Sequence, residues 1–449
     1  MCQELLNKYD LQLPRYTSYP TTPHFSRAVE GVTYATWLST LPIDTRLSLY
    51  VHIIYCKEMC WFCGCHTRIT HKYKPVTEYL EVLLAEIDLA VEWLPRGLIV
   101  QHVHFGGGSP TVLSPADFMR TVAHLRSRLS LASDAEIAVE LDPRTVDAAY
   151  IDAMAAAGVN RVSIGVQDFN SMVQKAINRI QPHAVTQQVV HWLRSHDITA
   201  INVDLIYGLP SQTVASVLKT IDEAVMLRPQ RLSLFGYAHV PWMKKHQRLI
   251  NTTLLPNTEE RWRQYEAAHM RLVSHGYTAV GLDHYAIPED ALALAMREER
   301  IHRNFQGYTT DRATVLLGFG ASAISSLPQG YVINESEVIA YKRFIMSGYF
   351  ATKRGIILTK EDSLRRAVIE RLMCDMAVNL DAVAARFDTD SAVFMPELDA
   401  LAVLEADGVV ARVGRTVRVT PAGRPLVRAV CAVFDRYLRT GTHQHSKAV

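Results

Sequence analysis

From about residue 48 to 240, two hydrophobic periods alternate along the chain. Short runs rich in Val, Ile and Leu occupy 47–53, 99–105, 136–141, 161–166, 200–205 and 231–235, and read as β-strands. Between them, the stretches 76–93, 115–129, 145–157 and 212–227 place their apolar residues at helical spacing. Repeated βα units predict an α/β protein with a parallel sheet, doubly wound or curled into a barrel. The strand ends sharpen this. The first strand leads into a cysteine loop, the second into Gly106-Gly107-Gly108-Ser109-Pro110-Thr111, and the third into Asp142-Pro143-Arg144. The fourth ends in Gln167-Asp168-Phe169-Asn170, the fifth reaches Tyr207-Gly208-Leu209-Pro210, and the sixth Tyr237-Ala238-His239. Barrel active sites form at the C-terminal ends of strands. Six such ends predict one site at the mouth of a partial or full parallel (β/α) barrel.

Outside 47–355 the pattern changes. Residues 1–46 carry Pro14-Arg15-Tyr16-Thr17-Ser18-Tyr19-Pro20-Thr21, too interrupted by proline for a helix and too aromatic for a disordered tail. They are expected to form an N-terminal extension covering the site. Residues 356–449 run through helices to a short β-like piece at 408–419, the order of a small, mainly helical, winged-helix-like domain. A chain of 449 residues also exceeds one ordinary core.

Composition narrows the partners. With 49% apolar and 20% charged residues and a net charge of +2, nothing suggests a general nucleic-acid or membrane surface. A local basic pocket for an acidic small molecule stays compatible with that balance. Met1-Cys2-Gln3-Glu4-Leu5-Leu6-Asn7-Lys8 lacks the zones of a signal peptide, and no uncharged apolar run approaches the roughly 18 residues of a membrane span. Cys2, Cys374 and Cys431 are scattered and show no disulfide framework, so a reducing, cytoplasmic setting is expected.

The other four cysteines lie together at 56, 60, 63 and 65, spaced C-x3-C-x2-C-x-C. A structural zinc knuckle using all four is one reading, although zinc is usually bracketed by two separated pairs. A [4Fe–4S] cluster on Cys56, Cys60 and Cys63 fits better. It leaves one iron free to chelate the amino and carboxylate groups of S-adenosylmethionine. An electron passed into that sulfonium breaks a carbon–sulfur bond, releasing methionine and a 5′-deoxyadenosyl radical that abstracts hydrogen from an unactivated carbon. The cofactor carries the hard chemistry, and the protein positions and excludes.

Each remaining constellation has a plain reading beside its chemical one. The triple glycine at 106–108 is either a tight turn or a place where a ligand, naturally the methionine amino group, approaches the backbone. Glu140 is either a rim carboxylate or an acceptor for a ribose diol or an ammonium. Gln167, Arg179 and Asp204 form a second polar set. Arg179 suits a carboxylate, and Asp204, inside an apolar run, needs a partner if buried, such as a nearby arginine. His52 reads as a core or supporting histidine, and the segments 281–285 and 302–304 as polar-aromatic surface loops.

Tyr50-Val51-His52-Ile53, Gly106-Gly107-Gly108-Ser109-Pro110-Thr111, Gly165-Val166-Gln167-Asp168-Phe169-Asn170 and Asp204-Leu205-Ile206-Tyr207-Gly208-Leu209-Pro210 resemble the radical S-adenosylmethionine superfamily. With the segment 14–21, Cys65 and His302-Arg303-Asn304-Phe305-Gln306-Gly307-Tyr308, the resemblance narrows to its oxygen-independent coproporphyrinogen III oxidase branch and covers nearly the whole chain. It implies a barrel of the radical S-adenosylmethionine type, and oxidative decarboxylation of two propionates of coproporphyrinogen III to vinyl groups. The product would be protoporphyrinogen IX, in haem biosynthesis. It further implies one [4Fe–4S] cluster and two S-adenosylmethionine molecules. Tyr50, Gly107, Glu140 and Ile324 would contact the molecule on the cluster, and Phe62, Gly108, Ser109, Gln167, Arg179, Asp204 and Ala238 the second. Cys65 would matter for activity without ligating. A flavodoxin or ferredoxin system would donate electrons, no nucleic acid or membrane is involved, and the chain would be a monomer.

Two positions depart from the family pattern. Ile54 replaces a usual proline before the cysteine loop, which would loosen that junction or add an N–H needing a partner. Ile287 stands where an arginine is common, which puts substrate affinity in question if that arginine holds a propionate. The main rival is a haem-binding chaperone of the same superfamily, against which Cys65 and residues 15–20 argue. An anaerobic haem-opening enzyme is a more distant one.

Overall fold

The two faces of the central strands separate by residue type, and that separation builds the molecule. The computed structural model describes residues 5 and 8–438, so Cys2 and most of the segment 1–8 lie outside the described residues. All six expected strands form: β1 Arg46–Ile53, β2 Ile99–Gly107, β3 Ser130–Leu141, β4 Arg161–Gln167, β5 Ala200–Tyr207 and β6 Arg231–Gly236. Only β3 begins well before its expected start. They lie side by side in chain order, each parallel to the next.

The segment 278–357 adds six strands to the same sheet. They are β7 Thr278–Val280, β8 His284–Ala286, β9 Val315–Phe319, β10 Ile324–Leu327, β11 Gly330–Asn334 and β12 Thr352–Ile357. The order is β12-β11-β10-β9-β1-β2-β3-β4-β5-β6-β8-β7. β9 joins β1 in parallel, and the strands beyond β9 and β6 are antiparallel. The sheet therefore does not close on itself, which makes it the partial form of the expected barrel, and Ser26 of the N-terminal segment bridges to Gly355 on the β12 edge.

The crossover helices are α1 Lys74–Trp93, α2 Pro115–Arg128, α3 Ala148–Ala156, α4 His183–Ser195 and α5 Val214–Met226. Local chemistry starts several of them. Ser114 caps α2 by accepting from Asp117 N–H, with Pro115 at the first helical position. Asp147 caps α3, and Thr213 and Ser216 form a reciprocal capping box on α5. The helices cover the outer face of the sheet, where Leu47, Leu49, Val51 and Ile53 of β1 and Val103 and Phe105 of β2 enter the main core.

The alternate residues point the other way and are polar. β4 alternates strictly between half-buried and buried positions, and β5 does so up to Ile206. On the inner side His104 Nε2 lies 3.0 Å from Glu140 Oε1, and Ser163 and the Asn202 amide donate to Asp204 at 2.7 and 2.8 Å. Deeper in, Arg161 pairs with Glu136 at 2.7 Å and Arg231 with Asp290 at 2.8 Å. Closed (β/α) barrels usually fill this space with branched apolar side chains. Here the interior is a layered hydrogen-bond network.

Beyond Ile357, two residues past the expected boundary of 355, the C-terminal part forms its own core around Leu364, Val368, Leu372, Phe394 and Phe434. Its helix Lys360–Asp375 is followed by a small sheet, in which Ala377–Asn379 and Val410–Val413 flank Thr416–Val419. Tyr9, Leu13, Tyr16 and Tyr19 of the N-terminal segment enter this same core. Tyr16 Oη donates to Asp435 at 3.1 Å, and Arg428 donates to Leu13 O at 3.1 Å. Among the described residues, no helix is long and apolar enough to cross a membrane.

Candidate active site

The cysteine loop is held at both its neck and its crown. Tyr55–Cys56 pairs with Arg68–Ile69, and Arg68 N–H donates to Ile54 O at 2.8 Å, closing the neck. At the crown, Trp61 N–H donates to Ile177 O at 2.9 Å and Asn178 Nδ2 to Met59 O at 2.8 Å. From the other side Lys244, His246 and Gln247 reach Cys65 O, Cys63 O and Phe62 O at 2.9, 2.7 and 2.9 Å. The loop thus sits over the C-terminal ends of the strands with its thiol positions fixed by backbone contacts.

Two arginines face the loop. Arg144 Nη2 and Arg179 Nη1 each donate to Cys60 Sγ at 3.5 Å, and Asp142 ties both guanidinium groups together. Burial pushes the Asp142 carboxyl up, but Arg179 and Arg144 outweigh it and hold the pKa down to about 2. Hydrogen bonding from Cys65 draws the Cys63 thiol down to about 7. Cys65 N–H also donates to Cys63 Sγ at 3.4 Å. Burial, then the neighbouring Cys63 and Cys60, push Cys56 up to about 12, so it gains most from meeting a positive centre. Among the described residues, no three His, Cys, Asp or Glu side chains converge as ligands of a single ion would.

Beneath the loop, glycine makes the room. Gly107 has φ +111°, and a Cβ there would lie 2.8 Å from three ring atoms of His52. A Cβ on Gly106 would meet Glu140 Oε1 at 2.6 Å, and one on Gly108 would meet Tyr55 O at 2.7 Å. Glu140 accepts from Gly107 N–H at 3.3 Å and keeps 41% of its side chain exposed, so it can still reach a ligand. Gln167 is held at φ +72° beside Arg179, which donates to Gly165 O at 2.6 Å and has a buried Nε with no partner. Asp204 is satisfied by Ser163 and Asn202 rather than by an arginine, and burial raises its pKa. Tyr50 stands in register with Gly318, next to Ile324, and its ring lies 5.8 Å from that of His104. Three thiols on a pinned loop, a glycine cradle and an unpartnered guanidinium nitrogen suit a cluster with an amino-acid-bearing ligand.

The comparisons agree with this arrangement. The radical SAM superfamily model matches residues 50–224, and the HemN C-terminal domain model matches residues 358–426. The oxygen-independent coproporphyrinogen III oxidase of Bradyrhizobium diazoefficiens is 48% identical over 98% of this chain and 97% of its own. That of Paracoccus denitrificans is 42% identical over 97% and 96%. This chain belongs to the oxygen-independent coproporphyrinogen III oxidase family. The solved coproporphyrinogen III oxidase (HemN) of Escherichia coli, a radical SAM enzyme, superposes with a TM-score of 0.90 at 38% identity, covering 95% of this chain and 100% of that one.

Within this family frame, the predicted residues fall into linked groups at one mouth. Phe62 and Ala238 are bridged by Gln247, whose amide donates to both carbonyls. Ser109 N–H donates to Tyr55 O at 2.9 Å, joining the glycine turn to the loop neck. Arg144, Asp142, Lys244 and Gln247 join the site although sequence reasoning does not reach them as site residues. The first two directly follow β3 and were legible there; the last two lie in and beside a short 3-10 helix with no local signal.

Three expectations change. Ile54 is fully buried in the main core, and its carbonyl anchors Arg68, so this junction is not loosened. Ile287 donates its N–H to Gln230 O at 3.0 Å, before the start of β6, at the end of the sheet away from the cysteine loop. An arginine there would not face the mouth. The segments 281–285 and 302–304 are not surface loops. Asp283 and Arg303 keep only 16% and 6% of their side chains exposed, because the C-terminal part packs over them.

Proposed function

We propose that this chain removes CO2 from two propionate side chains of coproporphyrinogen III, giving the two vinyl groups of protoporphyrinogen IX. Each propionate loses a hydrogen atom from its β-carbon, CO2 and one electron. The observation that carries the reading is Cys60 Sγ between Arg144 and Arg179, on a three-thiol loop over the open barrel mouth.

Cys56, Cys60 and Cys63 would hold the [4Fe–4S] cluster, with Tyr50, Gly107, Glu140 and Ile324 around the S-adenosylmethionine on it. Phe62, Gly108, Ser109, Gln167, Arg179, Asp204 and Ala238 would take a second one. Bound there, the pair supplies one-electron cleavage and a hydrogen-abstracting radical. The chain's own part is placement. The Glu140 carboxylate is an acceptor for an ammonium or a ribose hydroxyl. Arg179 supplies a free N–H for a carboxylate, while Asp142 and Gly165 O fix its plane. Cys65, exposed and beside Cys63, would act on hydrogen or electron transfer without ligating. A flavodoxin or ferredoxin system would reduce the cluster, and the protein would act as a cytoplasmic monomer.

The test is anaerobic reconstitution with iron and sulfide, then coproporphyrinogen III, S-adenosylmethionine and a reductant. Protoporphyrinogen and 5′-deoxyadenosine should appear together, and Cys56→Ala should lose both cluster absorbance and S-adenosylmethionine cleavage. Haem binding without turnover would refute the reading in favour of a chaperone.

A further inference from the structure

Beside the mouth, between β6, the N-terminal segment and the C-terminal part, lies a cavity with an unusual charge balance. Its lining holds four arginines, Arg15, Arg261, Arg303 and Arg428, but only one carboxylate, Asp283. They come from four distant parts of the chain. That carboxylate is shared: Asp283 Oδ1 lies 2.8 Å from His284 Nδ1 and 3.8 Å from Arg303 Nη1, too far from the arginine for a hydrogen bond. Arg303 Nε and Nη1 and Arg261 Nε are buried with no hydrogen-bond partner. Burial, with Arg15 nearby, lowers the Arg428 pKa to about 10. Burying the Arg261 and Arg303 nitrogens without partners is costly unless an anion arrives to meet them.

The cavity is also shaped. A Cβ on Gly236 would lie 2.9 Å from Tyr207 Oη, and one on Gly208, at φ +80°, would lie 3.0 Å from Arg261 Nη1. Two glycines thus let Arg261 enter, where its guanidinium lies 5.9 Å from the Tyr207 ring centroid and Nη1 donates to Tyr237 O at 2.8 Å. Tyr265 and Trp262 add aromatic walls. Ala238, on the cavity wall, is tied through Gln247 to Phe62 of the cysteine loop, so the cavity borders the reacting centre.

We propose that this arginine-lined cavity clamps a propionate carboxylate of the tetrapyrrole that does not react, while the macrocycle itself stays in the barrel mouth beside it. The inference rests on the reaction proposed above. Coproporphyrinogen III carries four propionates and its product two, so the propionates that do not react remain as anchors from substrate to product. Guanidinium groups suit this task because they bind carboxylates in bidentate fashion and stay charged.

The probe is coproporphyrin III, the stable oxidised form, titrated against the full-length protein by fluorescence. Arg303→Gln and Arg261→Gln should each weaken binding about thirtyfold, the loss expected when one partner of a buried charge pair is removed. Arg303→Lys and Arg261→Lys should recover part of it. Coproporphyrin III tetramethyl ester, which has the same ring but no carboxylates, should bind the wild type weakly and the variants equally. Unchanged coproporphyrin III affinity in both Gln variants overturns the clamp, as does equal loss of acid and ester, which would mean a collapsed pocket. Tight, arginine-dependent binding without turnover would overturn the reaction and leave the clamp standing. Normal turnover with unchanged KM in the variants would overturn the clamp and leave the reaction.

Discussion

His52 offers a measurement in which the structure sets both sign and size. Its ring is 7% exposed, backs Gly107, and Nε2 lies 3.2 Å from His66 O, which requires the proton on that nitrogen. Burial outweighs the hydrogen bond to His66 and the pull of Glu140, and lowers the pKa from 6.5 to about 4. Between those values the unfolded chain binds a proton that the folded one refuses, so stability falls as pH drops from about 6.5 to about 4 and is flat outside that window. A shift of that size corresponds to about 3 kcal/mol at full extent. His52→Gln keeps an N–H for the His66 carbonyl and removes the titration. Cluster-free wild type and variant would be unfolded with urea at pH 7 and pH 4, followed by circular dichroism. Other titrating groups cancel in the difference between the two proteins, which should change by about 3 kcal/mol in favour of the variant at pH 4. A pH-independent difference would refute the assignment of a neutral, buried His52.

Gly107→Ala should destabilise by about 1–3 kcal/mol, since it forces a Cβ against the His52 ring at a left-handed φ. It should also displace Glu140, read as weaker S-adenosylmethionine binding in calorimetry. Arg365 and Glu397 form a buried pair at 2.9 Å in the C-terminal part. Arg365→Met alone should cost about 3–5 kcal/mol, and adding Glu397→Met should recover most of it, measured as a denaturation double-mutant cycle. Cys65→Ser should leave iron per chain unchanged after reconstitution, whereas Cys60→Ser should lower it sharply; equal losses would make Cys65 a ligand.

How much the sequence revealed depended on how local each cause is. β1–β6 were legible because their outward residues bury against α1–α5 whatever else the chain does, and each strand end carries its own turn chemistry. β9–β12 were not, since glycines at 318, 320, 330 and 355 interrupt their apolar pattern to let backbones approach. The cysteine spacing and triple glycine announced the mouth directly. Arg303 and Asp283 looked like surface residues, because their burial comes from a domain encoded tens of residues later. The reach of Lys244, His246 and Gln247 to the loop was invisible for the same reason. Ile54 and Ile287 stood out in the sequence as departures from the family pattern; in the structure Ile54 is a core residue whose carbonyl anchors Arg68, and Ile287 lies at the end of the sheet away from the mouth.

The N-terminal segment and β1 also set a timetable. Tyr9, Leu13, Tyr16 and Tyr19 leave the ribosome several hundred residues before their partners around Leu364, Phe394 and Phe434. One edge of β1 likewise waits for β9, while the other pairs with β2. Six adjoining parallel strands, β1 to β6, can associate while synthesis continues, but neither the N-terminal segment nor the far side of the sheet can close until the much later residues are available. The arginine cavity is walled by parts that arrive early and late, Arg15 and Arg428 among them. A ribosome stalled before Phe394 has emerged should therefore hold an ordered central sheet with an aromatic N-terminal segment still accessible to protease, and the cavity should form only once Arg428 has emerged.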